Sequence, residues 1–193
     1  ETVMNRMTIE SPLGALQLFA KDDELVGVYL PAQEVPEGTE RALELLRRAA
    51  TPLPINGRPM AAGIAALPVP EEPLAALWHT GDFLREYRGD CHNATWVAAG
   101  LTATDIGILT ELYWGMPVRS YSRTRGWTTE EFDASEHHLR NRGYLDGEGH
   151  STHLTQAGRH AREQLEVATD EQMRPALDAL GADIEELFDI LTP

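Results

Sequence analysis

The chain of 193 residues has one cysteine, Cys91, so it can form no internal disulfide. That points to a reducing compartment and a cytoplasmic location. Lysine is almost missing: Lys21 stands alone, and all other formal positive charge is arginine. Arginine suits bidentate contacts to carboxylate or phosphate better than it suits a diffuse field. No apolar run approaches the roughly 20 residues of a membrane-spanning helix, and no signal peptide is visible, so no membrane partner is expected. No cofactor motif is present, and no metal is expected. Positive charge itself is scarce, with 31 acidic side chains against 16 basic ones and a net charge of −15. Phosphate neutralisation supplies most non-specific DNA affinity. Any nucleic-acid contact must therefore gather its arginines on one face.

The deficit is uneven. Residues 1–100 carry 14 acidic and 8 basic side chains, residues 101–160 carry 8 and 6, and residues 161–193 carry 9 and 2. The least acidic stretch is also the most legible. Thr102 is a good helix N-cap, with Asp105 at the third helical position. Ile106, Leu109, Leu112 and Tyr113 follow at helical spacing. Gly115, Met116 and Pro117 end that helix. A basic turn carries Arg119, Arg123 and Arg125. Thr128 or Thr129 caps a second helix containing Phe132, His138 and Leu139, which stops at Arg142-Gly143. Tyr144-Leu145 and His153-Leu154 predict two short strands around the turn at 146–149. Thr155 caps the next helix.

The order "LRNRGYLDGEG…LTQAGR" resembles the recognition helix, wing and following helix of MarR-like winged-helix proteins. "LWHTGDFLREYRGDCHNATWVAAGL" and "RTRGWTTEEFDASEHHLRNRGYL" extend the resemblance over about residues 57–193, to a group of largely uncharacterised function. The resemblance implies a fold and not an activity. It also implies dimerisation through terminal helices, for which Leu177, Leu180, Ile184, Leu187, Phe188 and Leu191 are apolar enough. Burial of these side chains within one chain is the alternative.

The chain ends differ from this centre. Residues 1–33 alternate apolar and polar side chains, which predicts a β-meander with strands near 5–10, 14–20 and 24–30. Turns are expected at 11–14 and 21–23. The pattern "SPLG…L…A…LVGVYLP", about residues 7–31, resembles the opening strands of methylated-DNA–cysteine methyltransferases. That family's proline-cysteine-histidine-arginine motif is missing, since Cys91 lies in Asp90-Cys91-His92-Asn93, and alkyl transfer is not carried over. Residues 31–38 read as a linker. A helix over 39–50 places Leu43, Leu46 and Ala50 on one face, and a short helix is expected near 59–66. Over 72–88, Leu74, Leu77, Trp78, Leu84 and Tyr87 predict a buried stripe. Gly89 then permits a break, and Asp90 caps a new helix through Ala99. At the end come helices over 157–172, 174–180 and 182–191. The expected divisions are a small β segment (1–33), a linker and helix (34–70), and a winged-helix domain with C-terminal helices (71–193). The fold class is mainly α with small β elements around a winged helix-turn-helix core.

Four constellations are candidates for chemistry. The first is the basic turn with the second helix: Arg119, Arg123 and Arg125 on phosphates, and Ser135, His138 and Arg142 towards bases. Glu130, Glu131, Asp133 and Glu136 stand against it, although at a helix N-terminus they also complement the dipole. The second is His79, Asp82, Glu86, Arg88, Asp90 and His92, with Trp96 beyond them, which have the residue types of a metal-ligating, small-molecule or acid–base site. A solvated helix face with ion pairs is the plainer reading. The third is a run of histidines, His137, His138, His150, His153 and His160, with His150 and His153 in H-x-x-H spacing. These are candidates for a metal or pH-sensing site, with a polar wing surface as the plainer reading. The fourth is the set Trp78, Trp96, Tyr113, Trp114, Tyr121 and Trp127, candidates for a ligand pocket or for core.

These observations lead to a MarR-like, dimeric, ligand-responsive regulator of transcription that binds double-stranded DNA. The alternative is the same fold turned to small-molecule binding, catalysis or protein interaction through the block from His79 to His92. Recognition of alkylated DNA is a third reading and rests on the first 33 residues alone.

Overall fold

A computed structural model describes residues 4–11, 14–21, 24–29 and 36–192. The chain forms two compact units, Glu1–Gly38 and Thr39–Pro193. The first holds an antiparallel sheet of β1 (Met4–Ser11), β2 (Gly14–Lys21) and β3 (Glu24–Tyr29), with β2 in the middle. Met4 pairs with Lys21 and Ser11 with Gly14, and a bulge at Phe19/Ala20 shifts the β2–β3 register. The three strands fall where alternation places them. The turn residues 12–13 and 22–23, and most of the expected linker at 31–38, lie outside the described residues.

The second unit is helical. Its elements are α1 (Thr39–Ala50), α2 (Pro59–Ala65), α3 (Pro73–Ala98), α4 (Ala103–Tyr113), α5 (Thr129–Asn141), β4 (Leu145–Asp146), β5 (His153–Leu154), α6 (Gln156–Leu180) and α7 (Ile184–Leu191). Two cores fill it. One joins α1, α2 and α7 to α3 and the C-terminal part of α6, around Leu45, Ala61, Tyr87, Cys91, Ala176 and Leu187. The other belongs to the winged helix and is built on Ile108, Leu109, Phe132, Leu139, Leu145 and Leu165. Among the described residues no helix is long and apolar enough to cross a membrane.

Several local expectations give way to packing. The innermost stripe of α1 is Ala42, Leu45 and Ala49, one residue off the expected Leu43, Leu46 and Ala50. α3 does not break at Gly89. A mid-helix glycine costs about 1 kcal/mol, and α3 packs against α1, α2 and α6. Asp90 therefore starts no helix. It is buried inside α3, and its Oδ2 accepts the Ala61 N–H of α2 at 3.0 Å. The stripe expected on α3 is only partly interior: Trp78 is 75% exposed and Leu74 38%, while Ala76, Tyr87 and Cys91 are buried. The C-terminal helices 157–172 and 174–180 are one, because α6 runs through Pro175. Proline forfeits a backbone hydrogen bond there, but Ala176 and Leu180 beyond it are buried in the core.

A polar seam joins α3 to α6. Arg88 binds Glu166 at 2.7 Å and Asp170 at 2.9 Å. Arg162 is buried, pairs with the same Glu166, donates to Thr110 of α4 at 3.2 Å and covers the Tyr113 ring. His92 Nδ1 lies 3.3 Å from the Thr169 hydroxyl. Burial pulls the His92 imidazole below the ordinary histidine range, outweighing the opposite pull of Glu166. Burial raises the Glu166 carboxyl, but hydrogen bonds from Arg88 and Arg162 outweigh it and hold the group below the usual carboxylate range.

Both shifts act in one direction. In the interval between folded and unfolded pKa the unfolded chain binds the proton and the folded chain does not, so stability rises with pH. The His92 contribution is present above the ordinary histidine pKa and is lost as pH falls through the lowered folded value. The Glu166 contribution follows at lower pH. Urea unfolding as a function of pH should show a stability loss beginning near pH 6.5 that His92→Asn shallows. An unchanged profile in that variant counts against the seam as the source.

Candidate nucleic-acid interface

Residues 102–155 form helix, turn, helix and wing. The Thr102 hydroxyl accepts the Asp105 N–H at 3.1 Å, and Asp105 Oδ2 accepts the Thr102 N–H at 2.8 Å. This reciprocal cap is legible in the sequence. Its wider role is not. Asp105 is fully buried, Oδ1 accepts the hydroxyl of Ser135, and Oδ2 lies 2.9 Å from His138 Nδ1. Both partners stand on α5, so the residue that caps α4 also sets where α5 lies.

Glu111, at the other end of α4, is fully buried as well. Its carboxylate accepts the backbone N–H groups of Arg119, Tyr121 and Ser122 at 2.8, 2.6 and 2.5 Å. The turn between the helices is wrapped around this one side chain. Arg119 takes a left-handed backbone, with φ of 62°, unusual for a residue other than glycine. A short 3₁₀ turn, Ser122–Arg125, packs close to α4: a Cβ on Gly107 would sit 3.2 Å from that of Ser122. Glu111 has no sequence signal beyond being an acid in the last turn of α4.

Thr128 caps α5, with Glu131 completing a second capping box at 2.7 Å. The acids of α5 are largely engaged. Arg119 crosses the turn to Asp133 and Glu136, and Glu136 also reaches Arg140 at 3.4 Å. The wing pairs Leu145 with Leu154 and Asp146 with His153. Arg140 holds it to α5 through the Gly147 carbonyl and the Thr152 hydroxyl. α6 starts in backbone contact with the wing, since a Cβ on Gly158 would lie 2.1 Å from the Tyr144 carbonyl oxygen.

The expected DNA-facing residues divide into two groups. Arg123 and Arg125 are exposed in the turn, with Arg125 over the Tyr121 ring and bonded to its hydroxyl at 2.7 Å. The other four have internal partners. Arg119 is held by Asp133 and Glu136. Ser135 is buried on Asp105, and His138 is half-exposed with one ring nitrogen on the same carboxylate. Arg142 donates to the Ala99 and Gly100 carbonyls at 2.9 and 3.2 Å, closing the end of α3 onto α5. His137, expected only as part of the histidine run, and Asn141, which sequence does not single out, stand exposed on α5.

The block from His79 to His92 does not converge. His79 and His92 are about 20 Å apart along the helix axis. Glu86 pairs with Arg85 at 2.7 Å, Arg88 and His92 face α6, Asp90 caps α2, and Trp96 Nε1 bonds Asn93 at 3.1 Å. The aromatic set is scattered too, with Trp78 and Trp114 on the surface and Trp127 beside α5. His150 and His153 are exposed on the wing. Among the described residues no group of three or more potential ligands could hold a metal ion.

The profile of the Helix-turn-helix family matches residues 16–193, and the chain belongs to that family. No curated protein and no solved structure matches it.

Glu111→Gln retains the shape but only one acceptor oxygen, and turns an N–H donor towards backbone N–H groups. Stability should fall by about 1–3 kcal/mol. Hydrogen exchange should accelerate at the amides of Arg119, Tyr121 and Ser122 more than in α3. Uniform acceleration, or none, counts against Glu111 as the organiser of the turn.

Proposed function

We propose that this chain is a MarR-like, DNA-binding transcriptional regulator that works as a homodimer and answers to a small ligand. The observation that carries the reading is the helix–turn–helix–wing order, with α5 capped, exposed at its N-terminal turn and held by buried Asp105, and with the turn before it held by buried Glu111. Between residues 119 and 153 there are five arginines and six carboxylates, a balance adverse to phosphate. Internal pairing reduces the objection, because Asp133 and Glu136 face Arg119 and Glu131 serves the cap. Arg123 and Arg125 then supply the phosphate contacts. Cys91 is buried within α3, so its thiol is not displayed for alkyl transfer.

Homodimerisation is supported by the apolar face of α3 and α7. Trp78 is 75% exposed, Phe188 61%, Leu191 46% and Leu74 38%. Of the side chains expected there, Leu180 and Leu187 are buried within the chain, while Leu177, Phe188 and Leu191 remain outside.

Fluorescence anisotropy with random duplex DNA across a salt series tests the central claim. Binding should weaken with salt, and Arg123→Ala with Arg125→Ala should lower the log–log slope by roughly one per arginine and the affinity roughly tenfold. Absence of binding at low salt in the intact chain refutes it. For the dimer, Phe188→Asp should convert a two-chain species to one chain in sedimentation equilibrium. A single-chain species before substitution refutes that part.

A further inference from the structure

A cavity of about 460 Å³ opens between the first turn of α4 and the inner face of α5. That size falls within the range of small-molecule sites. Glu131, Ala134, Ser135 and His138 line one side at helical spacing, and Trp127 and the capped start of α4 line the others.

Its charge is one-sided. Asp105 and Glu131 contribute carboxylates, and no arginine or lysine lines it. The helix N-termini that would normally favour an anion are already served by these carboxylates in their capping boxes. Asp105 accepts from Thr102 N–H, Ser135 hydroxyl and His138 Nδ1, which places a proton on Nδ1 and fixes the orientation of the ring. Trp127 supplies an aromatic surface, and the chain's net charge of −15 favours positive ligands at longer range.

We infer that this cavity is a binding site for a planar aromatic monocation of the amidine class. The ring lies against Trp127, the cationic N–H groups face Glu131, and Asp105 holds His138 at the cavity wall. The inference names the ligand class for the proposed regulator, but it rests on this cavity and is tested without DNA.

Isothermal titration with 2-naphthamidine, 2-naphthamide and 2-naphthoate compares one shape at three charges. The amidine should bind at least roughly tenfold more tightly than the amide, and the naphthoate should not bind. Ala134→Met places a longer side chain at the cavity from an exposed helix position and should abolish amidine binding, with the circular dichroism spectrum and melting temperature retained. Glu131→Gln keeps the capping box and should weaken the amidine several-fold while leaving the amide unchanged. Equal affinity for amidine and amide overturns the inference. So does amidine binding that survives Ala134→Met, which would mean general adsorption to an acidic protein. Anisotropy with duplex DNA is measured separately, so loss of the DNA reading leaves this result standing, and the reverse.

Discussion

The carboxylate of Asp105 holds the first and second helices of the motif in place. Burying a charge is costly unless donors replace the water it loses. Asp105 is fully buried and receives the Thr102 N–H, the Ser135 hydroxyl and His138 Nδ1. The first donor belongs to the helix it caps, and the other two belong to α5. Removing the carboxylate would unfasten a helix end and a helix–helix contact together. Glu111 performs a similar service at the far end of α4, where three backbone N–H groups of the turn converge on it. With these anchors α5 has little freedom to rotate about α4, and the exposed face of α5 is determined by what its inner face must satisfy.

That constraint accounts for an oddity of charge. An acidic helix is ill suited to the phosphate backbone, yet the acids of α5 have structural tasks. Glu131 completes a cap, while Asp133 and Glu136 take the guanidinium of Arg119, whose left-handed backbone is stabilised through Glu111. The arginines partition in the same way. Arg119, Arg140 and Arg142 bind the protein's own carboxylates and carbonyls, leaving Arg123 and Arg125 displayed. Formal charge therefore overstates both the acids and the bases available at this surface.

Long helices connect the two cores. α3 and α6 run from the body formed with α1, α2 and α7 into the winged helix, joined along the way by Arg88, Glu166, Arg162 and His92. The histidine-and-acid pattern on α3, which in sequence suggests a site, is dispersed among these structural roles. Helical periodicity brings His79, Glu86 and Asp90 to similar azimuths. It cannot show that Asp90 faces α2 while Arg88 and His92 face α6.

Features governed by local chemistry were legible in the sequence: the caps at Thr102, Thr128 and Thr155, the wing strands around 145 and 153, and the alternation of the three N-terminal strands. Each depends on residues within a few positions of one another. The helices run on through Gly89 and Pro175, because the penalties for glycine and proline are local while the packing that overcomes them is not. Glu111 could not be recognised, since its partners are backbone groups up to eleven residues away, without side-chain identity. The sequence by itself determined the caps at Thr102, Thr128 and Thr155 and that a helix-turn-helix with a wing follows the first of them. Only the tertiary structure decided which carboxylates are buried, which arginines are free and where a cavity opens, because those depend on pairings between residues that lie far apart along the chain.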